Sequence, residues 1–454
     1  MKAQNTFFLC VLVTMLPLAF ALRGSISAHD VGTHPASKGE GPLQGKLQLS
    51  RRRTKKRKKN AQKKSRVIVR YQTAKGKHMA LDLASTVYYD FGSQKSLVVD
   101  VDKADEKKLK AFSHDILAVD TDTAMKPLFR RRIQTNIDAN MLNYEQITPY
   151  GIPMVQADQV TVPKKKKQRN RVCLVDTGVL HNHPDLPKTL MRGRNRYSTT
   201  YNTELRWRKG VDGHGTCLAG ILSANMTNNI GIRGVGDIPL FITRGMNNQG
   251  QAMQSDILAA LSQCEASGSK IISLSFGGGG ISTTFAEMLD QLYDERGILI
   301  FAASGNNGED YAMYPAAYPK VVSVGALNAS GERWSFSDWG PSLELMAPGD
   351  NVWCTGISNG QPTYSLYAGT SMAAPYAAGV AALVWSHFPS CTNAQIRYVL
   401  AHTAKDIGSP GCDQFTGNGI VQAKAAFDFL AANPCSHANW GTTSSTDTGC
   451  GVAS

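Results

Sequence analysis

The chain has 454 residues, of which 42% are hydrophobic and 19% charged, so it is long enough and apolar enough for one large folded domain with additional segments. Its net charge of +14 comes from the N-terminal part: residues 1–132 hold 27 Lys and Arg against 11 Asp and Glu, whereas residues 133–454 hold 22 against 24. The larger C-terminal part therefore has no electrostatic basis for binding nucleic acid, and we expect no nucleic-acid partner.

The first 21 residues have the features of a secretory signal peptide. Lys2 precedes the apolar run Phe7–Val13, and the small-residue cleavage site Ala19-Phe20-Ala21 follows. A membrane anchor is the alternative, but the apolar stretch is short and is interrupted by Pro17. We therefore expect residues 1–21 to be removed and the protein to be secreted, with no membrane partner.

Residues 22–66 form a polar and basic segment centred on Arg51–Lys59. Like charges at this density repel one another, so we expect a disordered linker. The block could bind nucleic acid or heparin-like polyanions. A processing site or an exposed spacer is the interpretation that we favour for a secreted chain.

Residues 67–132 have the pattern of a small, separate α+β unit. The predicted strands and the one predicted helix are Val67–Tyr71, Val87–Asp90, Ser96–Val101, helix Asp105–Phe112 and Ile116–Asp120. The unit ends at the basic tract Phe129–Arg132, which lies in a polar stretch and is a predicted cleavage site.

Residues 133–432 have the pattern of the main domain, in which near-continuous apolar strands alternate with helices. The predicted strands are Arg171–Val175, Ile238–Thr243, Ile271–Ser275, Ile298–Ala302 and Val321–Gly325, and the predicted helices are His214–Ala224, Ser255–Ala266, Thr283–Arg296 and Met372–Leu383. This alternation is typical of an α/β fold with a mainly parallel sheet and helices on both faces, whose functional residues gather at the carboxyl ends of the strands.

The C-terminal tail, residues 433–454, contains two of the chain's cysteines. Eight cysteines remain when Cys10 leaves with the signal peptide, and in an oxidising compartment we expect them to form disulfides. Neighbours in sequence predict the pairs Cys391–Cys412 and Cys435–Cys450. Cys217 is either a reactive thiol or a buried structural cysteine or half-cystine, and we favour the second.

Three side chains stand at predicted strand or helix ends beside glycine. Asp176 ends a strand, His214 begins a helix between two glycines, and Ser371 lies in the first turn of a small-residue helix, where the helix dipole favours an anion. A nucleophilic serine needs a base, and the base needs a carboxylate to orient it. Taken one at a time, Asp176 is explained as a turn former, His214 as a helix-end residue and Ser371 as an N-cap. Their occurrence together in one parallel α/β domain favours a catalytic role.

These segments make the chain resemble the subtilisin family of serine proteases, which has the same order Asp, His, Ser. The motifs that carry the resemblance are Asp176–Gly178, Gly213–Thr216, Ser273–Gly277, Ala303–Asn306, Phe336–Pro341, Met346–Gly349 and Gly369–Pro375. The resemblance implies an endopeptidase that hydrolyses protein or peptide substrates through an acyl-enzyme. Ser371 would be the nucleophile, His214 the general base and then acid, and Asp176 the orienting carboxylate.

The resemblance also implies how the substrate is held. Asn306 would donate its side-chain N–H to the oxyanion together with the backbone N–H of Ser371, and Thr370 would support this oxyanion hole. Main-chain groups of Ser275, Phe276 and Gly277 would pair with an extended substrate.

The loop at Asn248–Gly250 would lie on the other side of that substrate. Met313 matches a position in the primary specificity pocket. Because the substrate would be bound mainly through its main chain, we expect broad specificity. Because no acidic cluster accompanies Met313, we expect apolar or medium-sized P1 residues.

A structural calcium ion is a further implication of the resemblance. Gln146, Asp185 and Asn228 match side-chain ligands, and carbonyls near Met226, Ile230 and Ile232 would complete an oxygen shell. An Asn-rich turn without an ion is the alternative. Asn225 and Asn328 begin N-glycosylation sequons, so we expect a glycoprotein.

The unit Val67–Val119 resembles the family's propeptide in position and in its order of strands and helix. The propeptide would be a folding template and an intramolecular inhibitor, released by cleavage near Arg132 or somewhat earlier. We expect a monomeric enzyme and treat Lys164–Lys167 as a solvated loop.

Two other functional classes remain open. A non-catalytic binding protein on the same fold would normally have lost one of the four catalytic positions, and none is lost here. The basic N-terminal arm would act as a polyanion-binding module only if the mature protein retains it.

Overall fold

The computed structural model describes residues 64–132, 146–195, 207–210, 212–278, 280, 282–437 and 450. The predicted signal peptide and nearly all of the predicted basic linker lie outside this part of the chain. Within it, no helix combines the length and the apolar character that crossing a membrane requires. The N-terminal α+β unit and the main domain belong to one compact unit, residues 60–454.

The N-terminal unit is a four-stranded antiparallel sheet with two helices. Its elements are β1 (Lys64–Tyr71), α1 (Ala74–Leu83), β2 (Thr86–Phe91), β3 (Ser96–Asp102), α2 (Lys103–Ala111) and β4 (Ile116–Thr121), and the strand order is β2-β3-β1-β4. Helix α1 was not predicted, because only Gly76 and Ala80 are buried and the segment has little apolar periodicity.

The main domain is built on a seven-stranded sheet in which every pair of neighbours is parallel, as predicted. Its strands, in spatial order, are β15 (Leu343–Pro348), β14 (Val321–Leu327), β13 (Leu299–Ala303), β11 (Ile271–Leu274), β7 (Val172–Asp176), β9 (Leu240–Arg244) and β8 (Met191–Asn195). Strand β8 was not predicted because this edge strand, Met-Arg-Gly-Arg-Asn, lacks an apolar run.

Helices cover both faces of this sheet. The main-domain helices are α3 (Gly151–Met154), α4 (His214–Ser223), α5 (Gln254–Ala266), α6 (Thr283–Asp290), α7 (Thr370–Trp385), α8 (Asn393–His402) and α9 (Ala423–Ala432). Alternate residues of β7 enter two different cores: Val172 and Leu174 pack with α4 and α7, whereas Cys173 and Val175 pack with α5 and α6. The helix predicted at Thr283–Arg296 ends at Asp290 and continues as a π-helical turn.

Two small antiparallel sheets join the N-terminal segment to the main domain. The first has the order β10-β5-β12, with β10 (Ala252–Met253), β5 (Ala124–Pro127) and β12 (Phe276–Gly278). The second has the order β16-β17-β6, with β16 (Val352–Ser358), β17 (Gln361–Ala368) and β6 (Arg130–Arg132). The chain therefore passes from one sheet to the other through Leu128 and Phe129.

Four disulfides are present among the described residues: Cys173–Cys264, Cys217–Cys354, Cys391–Cys435 and Cys412–Cys450. The predicted pairs Cys391–Cys412 and Cys435–Cys450 are wrong. Packing of α8 against α9 carries Cys435 to the start of α8, where Gln395 donates to its carbonyl at 3.3 Å. Neighbours in sequence are therefore not neighbours in space, whereas the prediction of Cys217 as a half-cystine is confirmed.

Candidate active site

Asp176 and His214 meet at the carboxyl edge of the main sheet. Asp176 is the last residue of β7, and His214 is the first residue of α4. His214 Nδ1 lies 2.9 Å from each carboxylate oxygen of Asp176, and both side chains are fully buried. The approach requires glycine at position 215, because a Cβ there would lie 2.8 Å from Asp176 Oδ1.

Asp212 is a second carboxylate close to the imidazole, and the sequence motifs did not identify it as functional. Its Oδ1 accepts hydrogen bonds from His214 N at 3.0 Å and from Thr177 Oγ1 at 2.6 Å. Burial opposes the charged imidazolium, but Asp176 and then Asp212 outweigh burial and raise the pKa of His214 above its ordinary value. The pair of carboxylates therefore makes His214 a stronger base.

Ser371 is the second residue of α7, a helix whose 16 residues are all buried. Its Oγ donates to Ser275 O at 2.7 Å, and Ser275 Oγ donates to Ser371 O at 2.8 Å. His214 Nε2 has no hydrogen-bond partner among the described residues. In this form of the protein the Ser371 hydroxyl is therefore bonded to the Ser275 carbonyl and not to the imidazole.

The segment Leu128–Phe129 occupies the space in front of Ser371. Leu128 N donates to Ser371 Oγ at 3.0 Å, and Ser371 N donates to Leu128 O at 3.2 Å. The Phe129 ring lies 4.4 Å from the His214 ring and 5.8 Å from the Tyr367 ring, measured between centroids. The peptide bond between Leu128 and Phe129 is thus the bond that lies next to Ser371.

Asn306 lies beside the same carbonyl group. Its Oδ1 accepts from Thr370 N and from Thr370 Oγ1, both at 2.9 Å, so the amide oxygen is fixed. A Cβ on Gly369 would lie 2.5 Å from Leu128 O and 2.9 Å from Asn306 Nδ2, so these two atoms border the same small space. The side-chain N–H groups of Asn306 are therefore directed to the side on which the carbonyl oxygen lies.

Strand β5 occupies the place predicted for an extended substrate. Phe276 and Gly277 of β12 stand opposite Pro127 and Lys126, and Leu128 N donates to Ser275 O at 3.3 Å. Ser275 contributes both its carbonyl and its hydroxyl to this region.

The other side of β5 pairs with β10 at Ala252–Met253 and not at the predicted loop Asn248–Gly250. That loop approaches the strand at Gly250, where a Cβ would lie 2.8 Å from Pro127 Cγ. The tight turn at Gly250, with φ of +69°, carries the chain past Pro127 before the ladder begins.

The side chain of Leu128 enters an apolar pocket that includes Met313. A Cβ on Gly277 would lie 2.9 Å from Leu128 Cδ1 and 3.0 Å from Met313 Cβ, so the side chains of Leu128 and Met313 both border Gly277. Leu128 is 4% exposed, which shows that a leucine fills this pocket.

Two carboxylates of the N-terminal unit contact helix N-termini of the main domain. Asp122 accepts from Ser255 N at 2.9 Å and from Ser255 Oγ at 2.7 Å at the start of α5, and it pairs with Arg66 at 2.7 Å. Asp120 accepts from Thr284 N at 2.9 Å and from Ser282 Oγ at 3.1 Å at the start of α6. Because a helix N-terminus favours negative charge, both contacts attach the unit to the domain.

The predicted calcium ligands form part of a ring of oxygen atoms. Gln146 Nε2 lies 3.1 Å from Asn228 Oδ1 and 3.3 Å from each of Ile230 O and Ile232 O, and it also contacts Asn225 O. Asn225 O is thus the carbonyl near Met226 that borders this ring.

Asp185 reaches the ring indirectly, since its Oδ1 accepts from Asn228 Nδ2 at 3.0 Å. Burial raises the pKa of Asp185 to about 7. Rotating the Gln146 amide would point a fifth oxygen into the ring, so this set fits a hard cation such as Ca²⁺.

Comparisons with known proteins agree with this geometry. A model of the subtilase family matches residues 168–419, more than half of the chain. Subtilisin DY of Bacillus licheniformis is 36% identical over 287 residues, which are 62% of this chain and 99% of that protein. Subtilisin E of Bacillus subtilis (strain 168) is 34% identical over 288 residues, 62% of this chain and 72% of that protein.

Solved structures share the fold at lower identity. Fervidolysin from Fervidobacterium pennivorans, a keratinolytic enzyme related to subtilisin, superposes with a TM-score of 0.68 at 23% identity, covering 82% of this chain and 62% of that one. The psychrophilic subtilisin-like protease Apa1 of Pseudoalteromonas sp. AS-11 gives 0.56 at 22% identity, covering 63% and 99%.

The fold is therefore that of the subtilisin-like α/β proteases. The chain belongs to the subtilase family, and it is a serine endopeptidase that acts on peptide substrates.

Proposed function

We propose that Asp176, His214 and Ser371 form the catalytic triad of this endopeptidase. The observation that carries the proposal is the chain's own segment at Ser371, where the Leu128 carbonyl accepts a hydrogen bond from the serine amide. The buried contact of His214 Nδ1 with Asp176 supports it, because it fixes the tautomer that leaves Nε2 free to accept a proton.

Catalysis follows from these positions. Ser371 Oγ attacks the carbonyl carbon of the residue in the place of Leu128, and its proton passes to His214 Nε2. The imidazolium then gives this proton to the nitrogen of the leaving residue, the peptide bond breaks, and an acyl-enzyme remains on Ser371. Water, deprotonated by His214, releases the acid product and restores the serine.

Asn306 is the proposed side-chain donor to the oxyanion. Thr370 holds Asn306 Oδ1, so Nδ2 is the group left to donate to the carbonyl oxygen as it gains charge. Removing one such donor lowers turnover by roughly 10²–10³-fold in comparable sites. The Ser371 backbone N–H is the second proposed donor.

We propose that the enzyme is made as an auto-inhibited zymogen. Residues from Lys64 onward fold as the inhibitory propeptide, three residues before the predicted start at Val67. Strand β5 binds as a substrate does, and the proposed first cut is the bond between Leu128 and Phe129, four residues before Arg132. Attack on this bond requires the Ser371 hydroxyl to turn from Ser275 O toward His214 Nε2.

The same contacts give the proposed specificity. Leucine or an apolar residue of similar size is the expected P1 residue, because Leu128 is buried against Gly277, which Met313 also borders. An aromatic residue is favoured at P1′, where Phe129 packs on His214 and Tyr367. Main-chain pairing through β5 supports broad specificity at the other subsites.

A calcium ion in the ring around Gln146 is part of the proposal. Gln146, Asn228 and the carbonyls of Asn225, Ile230 and Ile232 would hold the ion, with Asp185 supplying the nearby negative charge. When bound, the ion supplies a cross-link between the start of the domain and the loop after α4. We propose a stabilising and not a catalytic role.

Secretion after removal of residues 1–21 and glycosylation at Asn225 and Asn328 complete the proposal. Asn225 Oδ1 accepts from Thr227 N at 3.0 Å, and Asn328 Oδ1 accepts from Ser330 N at 3.0 Å, so each sequon forms a tight turn. Intact-mass measurement before and after enzymatic removal of N-glycans tests both sites.

Active-site labelling tests the nucleophile directly. The wild-type enzyme is expected to react with a fluorophosphonate and to hydrolyse casein, and Ser371→Ala is expected to lose both. Ser409→Ala, which removes an exposed hydroxyl elsewhere and lies in no sequon, is the matched control and keeps both activities. Labelling that persists in Ser371→Ala would refute the assignment of Ser371.

A further inference from the structure

The loop that carries Asn306 is held along its whole length by the segment Phe336–Trp339. Gly308 N donates to Phe336 O at 3.0 Å, Asp338 N donates to Gly305 O at 3.0 Å, and Trp339 N donates to Glu309 O at 2.9 Å. The loop Gly305–Glu309 is therefore fixed by a neighbouring segment and not by regular secondary structure of its own.

The carboxylate of Asp338 adds side-chain contacts on the far side of Asn306. Its Oδ1 accepts from Asn307 N at 2.7 Å and from Glu309 N at 3.1 Å. Its Oδ2 lies against Gly305, where the Cβ of any other residue would overlap it. The carboxylate thus touches the residues on both sides of Asn306.

Burying the charged carboxylate of Asp338 is unfavourable because the charge loses its hydration. Asp338 has no exposed surface, and burial raises its pKa, while the amides of Glu309, Asn307 and Gly308 act in the opposite direction. A buried charge is tolerated where backbone N–H groups satisfy it. The N–H groups of Asn307 and Glu309, both in the loop Gly305–Glu309, bond to Oδ1, whereas Oδ2 is buried without a hydrogen-bond partner among the described residues. The charge and the geometry of this loop therefore depend on each other.

We propose that Asp338 is a positioning residue for the oxyanion donor Asn306. Thr370 fixes the side-chain oxygen of Asn306, and Asp338 fixes the backbone on which that side chain stands. The contacts of Thr370 and Asp338 together orient the Asn306 amide, so that Nδ2 faces the carbonyl oxygen of the substrate. This inference rests on the proposed function of Asn306.

Positioning predicts an effect on turnover and little effect on substrate affinity. A donor displaced by about 1 Å costs on the order of 10²-fold in rate, and the oxyanion exists only after attack has begun. Asp338→Ala removes the acceptor and is expected to lower kcat by about 10- to 100-fold with KM changed less than about twofold. Asp338→Asn keeps an oxygen acceptor at the same place and is expected to retain kcat within about threefold.

A double-mutant cycle tests whether Asp338 acts through Asn306. Variants are processed with a trace of wild-type enzyme, and Ser371→Ala treated in the same way gives the background rate. Asp338→Ala placed in Asn306→Ala is expected to lower kcat by less than about threefold more, because the donor that Asp338 positions is already absent.

Ser337→Ala is the matched control for loss of a buried polar contact in the same segment. Ser337 Oγ accepts from Ala326 N at 3.0 Å in β14 and donates to Asp338 O at 3.3 Å, so its side chain bonds to the backbone of β14 and of its own segment and not to the Asp338 carboxylate. It is expected to lower the melting temperature while kcat of the folded enzyme stays unchanged.

The outcomes separate the inference from the function on which it rests. If Asn306→Ala keeps wild-type kcat, the oxyanion assignment fails and the inference fails with it. If Asn306→Ala lowers kcat but Asp338→Ala keeps the wild-type kcat, Asp338 does not position Asn306. The same conclusion follows if the double variant loses kcat by the product of the two single losses. Failure of Asp338→Asn to rescue kcat would also overturn the inference.

Discussion

Asp212 contacts the backbone N–H of His214 and is the carboxylate at the site that no motif identified. The sequence places it two residues before His214, but a carboxylate before a glycine is most simply a turn former. Its importance depends on the fold, which brings it to Thr177 and to the positive end of α4. Sequence patterns do not show such contacts because Thr177 lies 35 residues away.

Removing the charge of Asp212 is expected to lower the pKa of His214. Asp212 favours the imidazolium, so Asp212→Asn lets the neutral base persist to lower pH. The acidic limb of kcat/KM against pH for a peptide substrate should therefore move to lower pH. Asp428→Asn, at an exposed residue of α9, is the control; a limb that stays fixed or moves to higher pH would contradict this account.

The Leu128 pocket gives a second prediction at the residue scale. Leu128→Asp puts a carboxylate at a buried position beside Gly277, where burying its charge is costly, whereas Leu128→Met keeps the apolar contact. Leu128→Asp is expected to slow self-cleavage by about 10²-fold or more, and Leu128→Met by less than about fivefold. A time course of cleavage on gels measures both rates, and equal rates would exclude this pocket as the P1 site.

The elements that the sequence predicted well are those with a strong apolar pattern. The central strands β7, β11, β13 and β14 are buried on both faces, so their runs of Val, Ile and Leu identify them. Strand β5, with the sequence Ala-Met-Lys-Pro, has no such pattern. It is a strand because β10 and β12 pair with it from distant parts of the chain.

The residues of the proposed triad share a related signal in the sequence. Asp176, His214 and Ser371 each stand at the end of a helix or strand, close to a glycine, in a motif of the family. Leu128, which lies in front of Ser371, belongs to no such motif. Its place at Ser371 depends on how the N-terminal unit docks on α5 and α6, which involves Asp120, Asp122 and their helix partners. For the proposed calcium ring, the sequence indicated a carbonyl near Met226, and in the structure the carbonyl of Asn225 contacts Gln146.

Docking at the α5 N-terminus gives a prediction at the scale of elements. Asp122→Asn removes the charge from a contact with Ser255 and leaves Arg66 without its closest ion-pair partner. A charge-assisted contact contributes about 1.5–3 kcal/mol, so the cleaved propeptide should leave about 10- to 100-fold faster. The lag between cleavage on a gel and the appearance of peptidase activity measures this release.

Asp82→Asn is the control for this experiment. Asp82 is exposed on α1 of the same unit, so its substitution changes the net charge by the same amount without touching α5 or α6. An equal shortening of the lag in both variants would show that net charge, and not the helix contact, holds the propeptide.

At the scale of the whole molecule, the proposed calcium ring connects Gln146 with the loop Asn225–Ile232. A ligand that binds only the folded state raises its stability, so a chelator is expected to lower the melting temperature of the mature enzyme by several degrees. Asn228→Ala should be less stable and insensitive to the chelator. Gln291→Ala, at a surface residue on the other side of the sheet, should respond as the wild type does.

Self-cleavage of the full-length chain is the most direct test that Ser371 is the nucleophile and that the Leu128–Phe129 bond is its first substrate, because one chain contains both. Incubated alone, the wild-type protein should give an earliest product whose new N-terminus is Phe129, identified by intact mass and N-terminal sequencing. Ser371→Ala should remain uncleaved under the same conditions. The same cut in Ser371→Ala, or an earliest cut at a different bond in the wild type, would contradict the account of Ser371 and Leu128.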